Sequence, residues 1–69
     1  MNKQSQLIDQ YWDYIGTSKE YITAIENDDE VVFMINYSKT QLINLKPKIE
    51  INEIKIFFNG CRIIFKKII

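Results

Sequence analysis

A change of hydrophobic period at Gly16 constrains this chain more than any other feature. Before it, Leu7, Ile8, Tyr11, Trp12 and Ile15 recur at i, i+1, i+4, i+5 and i+8. At about 100° per residue these fall within one arc of about 140°. Tyr14 extends one edge, while Gln6, Asp9, Gln10 and Asp13 fill the opposite arc. The spacing predicts an amphipathic helix over roughly residues 4–15, capped by Ser5 or Asn2 and stopped by Gly16 in a left-handed conformation.

After Gly16 the period shortens towards two. Residues 20–27 are rich in β-branched side chains, Asn27-Asp28-Asp29-Glu30 reads as a tight turn, and Val31 to Tyr37 alternates as a second strand. Thr17 and Glu20 also fit a capping box, with Tyr21, Ile22 and Ile25 on a helical face, but the hairpin is the favoured reading. Gln41 to Leu45 reads as a short strand and Pro47 as an edge or loop position. Ile49 and Ile51 alternate in one parity, and Ile54, Ile56 and Phe58 in the other. The switch at Asn52-Glu53 implies a bulge or a break.

Asn59-Gly60 between two apolar runs is a hairpin signal. A two-residue turn there would pair Phe58 with Cys61, Ile56 with Ile63 and Ile54 with Phe65 on one apolar face. The other face would pair Phe57 with Arg62, Lys55 with Ile64 and Glu53 with Lys66. The expected fold class is α+β: one domain over 1–69, its N-terminal amphipathic helix packed on a four- to five-stranded antiparallel sheet. The architectural alternative is an SH3-like small barrel with an N-terminal helix.

At 69 residues, stability is marginal unless the core is dense. Fourteen Ile supply that density, against three Leu and two Val. Ile, Lys and Asn make up 28 residues, which points to AT-rich coding and a bacterial or phage origin. No apolar run is long enough to span a bilayer. The N-terminus opens no secretory h-region, and a lone cysteine suits a reducing compartment. The expected location is therefore cytoplasmic.

The formal net charge of zero hides a split. Residues 1–30 carry seven acids against Lys3 and Lys19, and residues 31–69 carry seven bases against Glu50 and Glu53. The halves can fold against each other and cancel, or the polarity can steer a partner. With no His and one Cys, a His-based triad, a His- or Cys-rich zinc site and an internal disulfide are excluded. Asp9 and Asp13 at i, i+4 read as a solvated face rather than an acid–base pair, and Asp28-Asp29-Glu30 lacks calcium-loop spacing. No catalytic residue, cofactor or metal is expected.

The leading expectation is a non-enzymatic module that binds a larger protein, such as a phage or mobile-element inhibitor of an anti-defence, anti-CRISPR-like kind. Its contacts would come from an acidic patch of Asp9, Asp13, Glu26, Asp28, Asp29 and Glu30, and from the aromatics Tyr14 and Phe57. The alternative is a small nucleic-acid binder using Lys46, Lys48, Lys55, Arg62 and Lys66, with Phe57 as a stacking platform. The balanced charge makes nucleic acid the weaker reading. A homodimer completing its core across an edge strand is a third option.

Overall fold

The computed structural model describes residues 3–15, 21–36 and 44–68. The helix α1 spans Lys3–Tyr11 and buries Leu7, Ile8 and Tyr11. It stops four residues before the expected end. The chain passes directly into a strand, β1 (Trp12–Ile15), which pairs antiparallel with β4 (Asn44–Pro47). Trp-Asp-Tyr-Ile has the aromatic and β-branched side chains that suit a pleated surface. Pairing with a distant segment satisfies its backbone better than another helical turn would. The Lys48 N–H donates to the Tyr11 carbonyl at 2.8 Å, which extends that ladder to the last residue of the helix. The expected Gly16 stop lies outside the described residues, as do the capping-box positions Thr17 and Glu20. Pro47 ends β4, a strand with β1 as its one neighbour, where a residue with no N–H to donate is tolerated.

Four more strands form the main sheet: β2 (Ile22–Glu26), β3 (Glu30–Asn36), β5 (Glu53–Phe57) and β6 (Gly60–Lys66). Their order is β2-β3-β6-β5, and every neighbouring pair is antiparallel. The hairpin reading therefore holds over the helical alternative across residues 22–36, with the Asn27 N–H closing the turn onto the Glu30 carbonyl at 2.8 Å. Among the described residues the strands form two sheets and no closed barrel, so the SH3-like alternative is set aside. The fold is a small α+β one, with a helix on antiparallel sheets.

The core lies between α1 and one face of the main sheet. That face carries Ile22 and Ala24 from β2, Val31, Phe33 and Ile35 from β3, and Cys61, Ile63 and Phe65 from β6, all buried. Tyr11, Trp12, Phe33 and Phe65 interlock with ring centroids 5.2–5.7 Å apart, in tilted and edge-on contacts. Tyr11 also accepts the Ile68 N–H on its hydroxyl at 2.8 Å, which ties the C-terminal segment to the helix. Ile49 and Ile51, outside any strand, pack against this cluster.

The parity switch at Asn52-Glu53 is a local departure from the ladder. Glu53 is the register partner of Ile64, yet the Asn52 N–H also donates to the Ile64 carbonyl at 2.8 Å. Asn52, just before β5, and Glu53, its first residue, thus share one residue of β6, as in a bulge at the strand's entry.

The β5–β6 hairpin keeps the expected faces but not the expected register. Phe57 pairs with Gly60, Ile56 with Cys61 and Ile54 with Ile63, so the turn is Phe58-Asn59 and Gly60 is the first residue of β6. Phe58 is consequently a fully exposed turn residue and not part of the core. Lys66 lies opposite Glu30 of β3, and Glu53 opposite Ile64. The cause is crowding at Gly60. A Cβ there would stand 2.3 Å from the Ile35 carbonyl oxygen, so the glycine serves close strand approach within the sheet.

Candidate functional site

The sheet register shows which apolar residues the fold leaves uncovered. Directly opposite residues share a face of a sheet. Ile56 therefore continues the row Ile22, Ile35, Cys61, and Ile54 continues the row Ala24, Phe33, Ile63. Those six partners are buried, while Ile54 is 52% and Ile56 74% exposed. The core face runs on into β5, but burial stops at β6. All five residues of β5 are exposed. Beyond them Phe58 is fully solvated, and on the opposite face Phe57 is about half exposed.

That opposite face holds a shallow groove of about 660 Å³ lined by Tyr21, Thr23, Met34, Phe57 and Arg62 among others. The Arg62 guanidinium lies 5.3 Å from the centre of the Phe57 ring, the expected cation–π contact. It is reached diagonally, because Phe57 faces Gly60 and Arg62 faces Lys55 across the ladder.

The expected acidic patch is divided. Asp13 lies in β1 rather than on the helix, opposite Lys46 in the ladder, so Asp9 and Asp13 are not an i, i+4 helical pair. Lys48 donates its Nζ to the Asp9 carbonyl at 2.8 Å. Glu26 sits between Lys3 at 3.1 Å and Lys67 at 3.3 Å. Glu30 lies opposite Lys66, and the Lys67 N–H donates to the Asp29 carbonyl at 2.9 Å. A small depression of about 240 Å³ is lined by Asp28, Asp29, Glu30, Lys66 and Lys67. The acidic first half and the basic second half of the chain therefore interleave in space. Of the basic residues singled out for nucleic acid, Lys46, Lys48 and Lys66 each stand beside acidic positions, and Lys55 and Arg62 stand together by Phe57. Tyr14 lies opposite Leu45 in the β1–β4 ladder, and its side chain is outside those described.

Hydrogen bonds from Lys3 and then Lys67 hold the Glu26 carboxyl below its ordinary value of 4.5. A carboxylate with a lowered folded pKa stabilises the fold above the unfolded value, and the effect fades as pH falls through the folded one. Glu26→Gln should therefore lower the urea midpoint slightly at neutral pH, and the gap from wild type should close below pH 4.5. A gap unchanged by acid would show that the two lysines do not stabilise the fold through that charge.

Cys61 is a buried free thiol. The Trp12 indole N–H is buried with no hydrogen-bond partner among the described residues. Among the described residues no three His, Cys, Asp or Glu are grouped to hold a metal ion. None of the helices described is long and apolar enough to cross a membrane. No family model, curated protein or solved structure matches the chain.

The bare apolar strand escaped sequence reasoning, because Ile54 and Ile56 alternate as core residues do. The signal that could have found it is charge. Glu53, Lys55 and Arg62 crowd the strand's other face, as is common on edge strands.

Proposed function

We propose that the chain is a non-enzymatic protein-interaction module whose contact surface is β5 with its turn. One observation carries this reading. Of the six large hydrophobic residues that are exposed among those described, four — Ile54, Ile56, Phe57 and Phe58 — fall within five consecutive positions. Scattered exposed apolar residues are ordinary, whereas a cluster marks a contact surface. Here Ile54 and Ile56 share the core-side face of the edge strand, with Phe58 at its turn and Phe57 on the opposite face. Covering such surface is worth about 25 cal/mol per Å². The edge of an antiparallel sheet also offers unpaired backbone donors and acceptors to an incoming strand. A chain with no His and a buried thiol supports the non-enzymatic part.

The acidic residues take a secondary role in this reading. Asp28 and Asp29 are exposed at the β2–β3 turn and can steer an approaching partner, while Glu26 and Glu30 are engaged by or face lysines. The narrower reading, a phage or mobile-element inhibitor of a larger cytoplasmic host protein, draws its support from small size and AT-rich coding.

The test is affinity capture from cells that carry the gene, with the bound proteins identified by mass spectrometry. Ile56→Lys and Phe58→Ser alter exposed side chains and should leave the thermal midpoint within about 4 °C of wild type, the scale of a surface change in a domain of this size. A protein retained by wild type and lost with Ile56→Lys supports β5 as the surface. Equal retention by both contradicts it. Reversing Asp28, Asp29 and Glu30 to Lys should slow association without abolishing it.

A further inference from the structure

We propose that the occupant of the β5 edge is a second copy of this chain, paired antiparallel on a two-fold axis through Ile54. This rests on the reading of β5 as the contact surface and names what it contacts.

A two-fold pairing that keeps the sheet continuous must set residues of the same face opposite one another. The axis therefore passes through one residue, and the interior of β5 offers Ile54, Lys55 or Ile56. An axis through Lys55 would set Lys55 against itself, beside an Arg62 that already faces it across the β5–β6 ladder. Like charges directly opposite are destabilising. An axis through Ile56 would set Lys55 against Phe57 and Glu53 against Asn59, with no counter-charge for either. An axis through Ile54 sets Glu53 of each copy against Lys55 of the other, twice by symmetry.

The same register serves the apolar face. Ile54 meets Ile54 of the second copy directly, and Ile56 lies diagonal to it, within reach of a long side chain. The exposed ends of two core faces become one continuous stripe, so each copy covers what α1 leaves bare. Neither Glu53 nor Lys55 makes an ion pair among the described residues. The zero net charge also sets up little overall repulsion between copies.

The bulge at Asn52-Glu53 keeps the paired stretch short. The contact then falls below the about 1,200 Å² of standard interfaces, so the dimer should dissociate on dilution.

Sedimentation of the full chain over a concentration series tests this, with folding of each variant checked by circular dichroism. Wild type should show a reversible monomer–dimer equilibrium. Glu53→Lys and Lys55→Glu should each weaken it by about tenfold, since each converts two attractive pairs into repulsive ones. The double variant Glu53→Lys with Lys55→Glu restores both pairs and should recover to within about threefold of wild type. A wild type that stays monomeric at the highest soluble concentration overturns the dimer. So does a double variant no better than the singles. If wild type is monomeric while Ile56→Lys still loses a captured protein, only the dimer falls, and β5 serves a larger partner. If capture is also indifferent to Ile56→Lys, the β5 reading falls with it.

Discussion

Phe33→Ala is expected to leave the chain largely unfolded at room temperature. Phe33 is fully buried in the central strand β3 and touches the rings of Tyr11, Trp12 and Phe65. It joins the helix, the β1–β4 ribbon and the middle of the main sheet. Truncating a buried phenylalanine costs about 3–5 kcal/mol. At roughly 0.05–0.15 kcal/mol per residue, a domain of this size holds only about 3–10 kcal/mol in total. Loss and total are therefore of the same order. The fluorescence of Trp12, the one tryptophan, reports the change directly because it lies in the same cluster. Urea unfolding followed at that signal should show a midpoint lowered to near zero denaturant. A midpoint within about 0.5 M of wild type would mean that the aromatic cluster does not hold the layers together.

Gly60→Ala should produce the second largest loss. The added Cβ would lie 2.3 Å from the Ile35 carbonyl oxygen and 3.3 Å from the Asn36 Cα. Both are backbone atoms, so relief requires β3 and β6 to part at one end of their shared ladder, which runs from Glu30–Lys66 to Asn36–Gly60. Overpacking of this kind costs about 1–3 kcal/mol, and a backbone obstacle places it at the upper end. Asn59→Ala, in the exposed turn next to it, should cost less than about 1 kcal/mol. Thermal melts of the two variants separate the explanations. Equal losses would point to turn chemistry, while a loss confined to Gly60 would point to strand crowding.

The same glycine shows where reading the chain reached its limit. Asn-Gly strongly suggests a turn, and the hairpin is where the dipeptide says it is. The loop nonetheless sits one residue earlier, because β3 presses against position 60 and requires a glycine in the ladder itself. That requirement comes from a strand more than twenty residues away, and no local pattern carries it. Similarly, Leu7, Ile8 and Tyr11 mark a true helical face, but Trp12 and Ile15 fit a helical arc and a pleated strand alike over so few residues. The partner strand 44–47 decided between them.

The faces of the β5–β6 hairpin were legible from alternation, and the place of β5 in the sheet was not. An apolar residue looks the same whether its strand ends in the centre of a sheet or at an edge. Here the order β2-β3-β6-β5 places β5 at the edge, because β6 pairs with β3 on its other side. The candidate site shifts accordingly, from the acidic residues that stand out in the sequence to Ile54, Ile56 and Phe58. The charge split between the halves was legible, but its cancellation depends on pairings such as Glu30 with Lys66 and Glu26 with Lys3 and Lys67.

Amide hydrogen exchange resolved by residue, in dilute solution and again at high concentration, is the most direct test of an uncovered β5. The account predicts that β3 and β6 exchange only through global opening at both concentrations. Every second amide of β5, those that point to the open edge rather than to β6, should exchange much faster when dilute and become protected as copies associate or as a bound protein covers them. Protection of β5 equal to that of β3 in the most dilute sample would mean that the chain covers this strand itself, which would contradict the account.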